Sequence, residues 1–205
     1  MKFPSKGLYA ITQTESKSIA QVLTEVEAAL KGGAGVLQYR DKSPIDALAL
    51  AQQLLTLCHH YEVPLLINDD IDLALAIGAD GVHLGRDDCD LVSARQLLGA
   101  EAIIGISCYN DLKKAMTMAE QGADYVAFGR FFPSGSKPLA SPAEIETLRL
   151  ARQQLTIPIV AIGGILPENA SPLLEAGADL LAVIGGLFDY EAQSAAQQYL
   201  SLFHK

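Results

Sequence analysis

Basic residues are scarce in this chain: 15 lysines and arginines stand against 24 aspartates and glutamates, a formal net charge of −9 over 205 residues. A surface of that sign repels a nucleic-acid backbone, and no basic run offsets it, so nucleic acid is excluded as a partner. An anionic small ligand would have to be held by a few local cations or a metal ion. Long apolar runs are also missing. None reaches the roughly 18 residues a membrane span needs, and Met1-Lys2-Phe3-Pro4-Ser5-Lys6 lacks the apolar block of a secretory signal. Cys58, Cys89 and Cys108 form no close-spaced pair, and an odd count suits a reducing compartment, so a cytoplasmic protein is expected. There is no histidine–cysteine cluster of the kind that binds zinc.

Against these absences, half of the residues are apolar and 19% are charged, the composition of an ordered globular protein. The length suits a single domain, 1–205, with a substantial core. A tripeptide recurs along it: Gly33-Ala34-Gly35, Gly78-Ala79-Asp80, Gly122-Ala123-Asp124 and Gly177-Ala178-Asp179, spaced 45, 44 and 55 residues apart. Periods of that size mark repeated supersecondary units. Each copy follows a helix-like stretch and runs into a short apolar segment: Val36-Leu37, Gly81-Val82, Tyr125-Val126 or Leu180-Leu181. Between copies, and ahead of the first, lie Leu8 to Ile11, Leu65 to Ile67, Ile103 to Ile106 and Ile159 to Ile162, which makes eight strand candidates. The spacing predicts helices over Ser18–Leu30, Leu48–Tyr61, Asp111–Gln121 and Glu191–Phe203. Alternating strands and helices imply parallel strands with right-handed crossovers, in an open doubly wound sheet or a closed barrel. Four similar double units favour closure, since a ring makes its units equivalent. The expected fold is a lean (β/α)8 TIM barrel.

In such barrels the site forms where strands end. Those ends carry Thr12; Gln38, Arg40 and Lys42; Asn68, Asp69 and Asp70; Asp87 and Asp88; Ser107; Arg130 and the Pro133–Lys137 stretch; Gly163-Gly164; and Gly185-Gly186. Polar groups at nearly every exit imply a polar ligand. Gln38 and Arg40 lie two apart on one strand and face the same side, with Lys42 beyond them, a fork and a point charge suited to phosphate. The plainer account is surface pairing with Asp41 and Asp46. Asp69 and Asp88 follow neighbouring strands and offer hard oxygen ligands for Mg²⁺. Helix capping by Asp69, Asp70 or Asp90 competes, and since both loops carry at least two acids, both readings stand. The two Gly-Gly turns could hold a phosphate on backbone amides. Pro133 to Pro138 reads as a loop that closes over ligand or as a linker. His83 reads as a packed strand residue with no nucleophile beside it.

Together, Gly7-Leu8-Tyr9-Ala10-Ile11-Thr12, Gln38-Tyr39-Arg40-Asp41-Lys42, Ile67-Asn68-Asp69, Gly81-Val82-His83-Leu84-Gly85, Gly122-Ala123-Asp124-Tyr125-Val126 and Ala161-Ile162-Gly163-Gly164-Ile165 resemble the thiamine-phosphate synthase family, from about Gly7 to Phe188. The resemblance implies a transferase that joins a hydroxymethylpyrimidine diphosphate to a hydroxyethylthiazole phosphate, or its carboxylated precursor, and releases pyrophosphate with Mg²⁺ as cofactor. By that likeness the Gln38-Tyr39-Arg40-Asp41-Lys42 segment, Asn68 and Lys137 hold the pyrimidine diphosphate, and Asp69 and Asp88 ligate the metal. Ser107 contacts the diphosphate or the pyrimidine. Ser134, Gly135, Ser136, Gly164, Ile184 and Gly185 hold the thiazole phosphate. Arg40, Lys42, Ser107 and Lys137 carry the catalytic roles. Three departures from the family pattern stand out: serines at 134 and 136 where threonines are usual, Arg86 for glutamine, and Gly185 for serine. A thiazole tautomerase of the same shape would need no diphosphate site, and a Schiff-base aldolase would need a lysine inside a strand, which is lacking. A non-catalytic binder of thiamine precursors would have no use for a metal set. The partners expected are small molecules, with homo-oligomerisation left open.

Overall fold

The computed structural model describes residues 1–44, 46–85, 91–133 and 142–204. The chain alternates β1 (Gly7–Ile11), α1 (Ile19–Lys31), β2 (Ala34–Tyr39), α2 (Ala47–His60), β3 (Leu65–Asn68), α3 (Ile71–Ile77), β4 (Gly81–Leu84) and α4 (Leu91–Leu98). The second half repeats the scheme with β5 (Ile103–Tyr109), α5 (Leu112–Glu120), β6 (Tyr125–Phe128), α6 (Ile145–Gln154), β7 (Ile159–Ile162), α7 (Ser171–Glu175) and β8 (Leu180–Val183). Two helices, α8 (Gly185–Phe188) and α9 (Ala192–Leu202), finish it. Every strand is parallel to its neighbours, and β8 bonds back to β1 through Gly7–Leu180 to Ala10–Val183, so the sheet closes into an eight-stranded barrel. All eight expected strands are present.

Caps set the helix starts. Ser18 makes a capping box with Gln21, and the carboxylates of Asp46, Asp70 and Asp111 accept from the amides of Ala49, Leu73 and Lys114 at 3.0, 2.8 and 2.9 Å. Each satisfies a first-turn donor that the helix leaves unpaired.

The recurring tripeptide has a structural cause. Its glycine ends a helix with φ between 67° and 105° in all four copies, a region hostile to a side chain. Its aspartate then ties two strands together at the end opposite the candidate site. Asp80, Asp124 and Asp179 accept from the backbone amides of Leu65, Ile104 and Ile159 at 2.9, 2.7 and 2.8 Å. Each also meets a side chain from the helix that leads into the partner strand: His59 of α2 at 2.9 Å, Arg95 of α4 at 2.7 Å and Arg152 of α6 at 2.9 Å. The first copy carries Gly35 instead and lacks this tie.

Alternation along the strands separates two cores. Leu8, Ala10, Leu37, Tyr39, Leu65, Ile67, Val82, Leu84, Ile104 and Ile106 point outward and pack under the helices. Tyr9, Ile11, Val36, Leu66, Ile103, Tyr125, Ala127, Val160, Leu180 and Ala182 fill the barrel axis, with Phe3 packed against them. The axial filling is tight: a Cβ on Gly105 would lie 1.9 Å from Cζ of Tyr125, so the ring of Tyr125 requires glycine there.

Candidate active site

The same alternation that sends Val36, Leu66 and Ile103 into the axis sends Gln38, Asn68 and Ser107 into it nearer the strands' C-terminal ends. There they line a cavity of about 610 Å³ together with Tyr9, Ile11, Thr12, Arg40, Lys42, Asp69, His83, Tyr109, Arg130, Val160, Ile162, Gly164, Ile184 and Gly185. The floor is aromatic and aliphatic and the rim is charged, the usual plan for a small-molecule site. A groove of about 710 Å³ continues outward over Arg40, Asp41, Lys42, Asn68, Asp69, Asp70 and Asp72.

Thr12 fixes the exit of β2. Its hydroxyl donates to the Arg40 carbonyl and accepts from the Arg40 amide, both at 2.9 Å, while its own amide donates to the Gln38 carbonyl at 3.0 Å. The backbone that carries Arg40 is thereby latched to β1. Asp41 accepts from the Ser43 amide at 3.0 Å, which turns the following loop.

The acids after β3 divide their work. Asp70 caps α3. Asp69 sits in left-handed backbone, φ 64°, a strained conformation for a residue with a side chain. Its carboxylate accepts from Asn68 Nδ2 at 2.6 Å and from the Gly85 amide at 3.1 Å. Capping therefore does not account for Asp69, and strain retained beside a cavity points to a use.

Deeper in, five side chains from five strands form one hydrogen-bonded chain. Gln38 Nε2 donates to Tyr9 Oη at 2.8 Å, and Tyr9 Oη meets Tyr125 Oη at 2.8 Å. Tyr125 Oη meets His83 Nδ1 at 2.9 Å, and His83 Nε2 meets Ser107 Oγ at 2.9 Å. Burial pushes both phenol pKa values well up, so both stay neutral. Unpartnered, each buried hydroxyl would cost on the order of a few kcal/mol.

On the far side, Gly163 and Gly164 let two loops touch. A Cβ on Gly163 would lie 2.3 Å from Cβ of Arg130, and one on Gly164 would lie 2.2 Å from the Pro133 carbonyl. Next to them the first turn of α8 brings Gly185 and Gly186 to the cavity wall.

The thiamine monophosphate synthase family model matches residues 8–187. The chain belongs to the thiamine monophosphate synthase family. It is 54% identical over 196 residues to the thiamine-phosphate synthase of Nitrosococcus oceani, covering 93% of this chain and 90% of that protein. It is 53% identical over 197 residues to the thiamine-phosphate synthase of Marinobacter nauticus, covering 93% and 88%. The solved thiamine phosphate pyrophosphorylase of Pyrococcus furiosus superposes with a TM-score of 0.87 at 32% identity, over 98% of this chain and 96% of that one.

The residues expected from the synthase family sort into three groups. Gln38, Arg40, Lys42, Asn68, Asp69, Ser107, Gly164, Ile184 and Gly185 converge on the cavity, and Asp41 lies on the outer groove. Tyr39 lies apart from these. As the residue between Gln38 and Arg40, its ring points outward under the helices, where its hydroxyl finds no partner among the described residues and its pKa is pushed up to about 12, chiefly by burial. Among the described residues, those lining the cavity do not include it. Asp88, Ser134, Gly135, Ser136 and Lys137, with Arg86, lie outside the described residues. His83 also departs from expectation, since a hydroxyl does stand beside it. The sequence held a signal: His83 pairs in register with Asn68 and Gly105, so it shares the inward face with Asn68, and Ser107 lies two residues beyond Gly105 on that same face.

The donor set suits magnesium. Asp69 offers hard carboxylate oxygens held in place by Asn68 and the Gly85 amide, and one protein carboxylate would leave most positions to water and phosphate, as Mg²⁺ prefers. Among the described residues no group of three or more His, Cys, Asp or Glu could hold a metal by itself.

Proposed function

We propose that this chain is a thiamine-phosphate synthase, joining an aminopyrimidine methyl diphosphate to a thiazole ethyl phosphate and releasing pyrophosphate. The observation that supports it most is the convergence of Arg40, Lys42, Asn68 and Asp69 on one side of a cavity whose other side is backbone of Gly164, Ile184 and Gly185. Two anion-holding walls face each other across an apolar floor, which suits two phosphorylated rings.

On this reading Arg40 and Lys42 grip the diphosphate, the guanidinium as a fork and the ammonium as a point charge. Asp69, with Asp88, would hold Mg²⁺, which when bound neutralises diphosphate oxygens and makes the group a better leaving group. The latch of Thr12 on Arg40 matters here because groups already in place need no reorganisation as charge develops. Carbon–oxygen cleavage comes first, leaving a pyrimidine methylene cation stabilised by its ring amine, and the thiazole nitrogen then attacks. The apolar wall of Ile11, Val160, Ile162 and Ala182 excludes water that would intercept the cation. Backbone amides around Gly164 and Gly185 hold the thiazole phosphate, so its ring is presented in line, an orientation term of up to about 7–11 kcal/mol in favourable cases. No protein nucleophile is needed. The net charge of −9 is then a property of the surface, with local cations at the mouth.

The test is to incubate purified protein with the pyrimidine diphosphate and Mg²⁺, with and without the thiazole phosphate, and follow pyrophosphate. Release that depends on the thiazole phosphate is expected. No release with both substrates present would overturn the reading.

A further inference from the structure

The polar chain from Gln38 to Ser107 has a direction. An amide nitrogen can only donate, so Gln38 Nε2 leaves Tyr9 Oη as its acceptor. Tyr9 is buried, and among the described residues the oxygen its own proton faces is that of Tyr125. Tyr125 Oη, having accepted, donates to the nitrogen it faces, His83 Nδ1. A neutral imidazole that accepts at Nδ1 carries its proton on Nε2, where it faces Ser107 Oγ. Ser107 then accepts from His83 and turns its own proton to the cavity it lines.

We infer that this order holds in the protein: His83 is a positioning residue, kept as the Nε2–H tautomer by Tyr125, Tyr9 and Gln38, and it makes Ser107 a hydrogen-bond donor toward the bound substrate. The rings that set the order are themselves held. Tyr125 stacks on Phe3 at 4.1 Å with 4° between planes, lies edge-on to Tyr9 at 5.9 Å, and lies nearly parallel to His83 at 5.7 Å. Glycine at 105 leaves room for the Tyr125 ring, which a Cβ there would strike. With its nitrogen committed to Tyr9, Gln38 keeps its carbonyl oxygen for the cavity. That oxygen is the acceptor an aminopyrimidine requires, and this clause alone, with the choice of what Ser107 meets, rests on the proposed function. A donor serine suits a pyrimidine ring nitrogen or a diphosphate oxygen, both of which only accept. If Gln38 were turned over, every bond would reverse, His83 would carry its proton on Nδ1, and Ser107 would be spent donating to it.

The experiment is long-range ¹H–¹⁵N correlation on the ¹⁵N-labelled protein, with His83→Asn identifying which of the four imidazoles is His83. A pyridine-type signal at Nδ1 and a pyrrole-type signal at Nε2 are expected. Tyr125→Phe and Tyr9→Phe, which keep the rings and remove the hydroxyls, should each move His83 toward a mixture of tautomers. Tyr9 is linked to His83 through the Tyr125 hydroxyl, so its effect reads the chain. Turnover in both should fall about tenfold, the scale of one hydrogen bond, with KM for the thiazole phosphate within about twofold of the parent. A proton on Nδ1, protons on both nitrogens, or a His83 signal unmoved by both substitutions would overturn the inference. Should Tyr125→Phe not fold, the parent spectrum and Tyr9→Phe carry the test. A parent protein without synthase turnover would remove the proposed reaction and leave the tautomer result standing.

Discussion

Replacing Thr12 with valine isolates the role of a single hydroxyl. Valine has nearly the same shape, and Thr12 is 3% exposed, so packing is retained while one oxygen is lost. Two backbone groups lose their partner together, the amide and the carbonyl of Arg40. Each net hydrogen bond is worth about 1 kcal/mol, and leaving the partner unsatisfied raises the cost, so a loss of about 2–4 kcal/mol is expected. For a chain of this length that is a fall in thermal midpoint of about 5–15 °C. The β2 exit would also come loose beside the diphosphate, and a displacement of about 1 Å at Arg40 is worth up to about a hundredfold in rate. Urea denaturation gives the stability and pyrophosphate release gives the rate. Thr12→Ser, which keeps the oxygen, should lie close to the parent in both. A Thr12→Val protein within about 0.5 kcal/mol of the parent and equally active would refute the latch.

Asp69→Asn should lower turnover by about a hundredfold or more through lost metal binding, whereas its neighbour Asp70→Ala should cost about 1 kcal/mol of stability through the lost cap and little rate; steady-state kinetics and chemical denaturation of the pair check both, and the reverse pattern would contradict the division of labour. Burial acts to raise the pKa of Asp80, but the Leu65 amide, His59 and the terminal ammonium outweigh it, so the folded value lies below the ordinary 3.8. A depressed carboxyl contributes stability above that ordinary value and loses it as pH falls through the folded one, so thermal midpoints of Asp80→Asn should vary less with pH below about 4 than those of the parent; parallel curves would contradict it. Tyr39→Phe removes a buried hydroxyl that has no partner among the described residues, so melting should be unchanged or slightly higher and turnover unchanged. A large loss of activity would contradict this and show that the Tyr39 hydroxyl serves the reaction.

The barrel was legible because its signals are periodic. Glycine at a helix end and aspartate at a strand start recur for backbone reasons, a left-handed φ and a pair of strand-start hydrogen bonds, and the apolar runs between them are strands. The mouth residues were legible from their place after those runs: Gln38, Arg40, Asn68 and Ser107 project inward as period two requires. The orientation of Tyr39 was harder to read, because a motif read as a block hides the alternation inside it, which sends the Tyr39 ring outward. The opposite omission occurred at His83, Tyr9 and Tyr125. Each is an unremarkable strand residue by itself, and their meaning lies in contacts between residues 24 to 116 positions apart, which one strand at a time does not reveal. Asp69 and Asp70 could not be separated by residue type either; the left-handed φ at Asp69 and the cap at Asp70 separate them.

The most direct measurement is the ratio of products. With both substrates and Mg²⁺ present, mass spectrometry and a pyrophosphate assay on the same samples should find thiamine phosphate and pyrophosphate growing together in equal amounts. Pyrophosphate without thiamine phosphate would mean that the cavity cleaves the diphosphate but does not bring the second ring to it, and the proposed synthase reaction would be wrong.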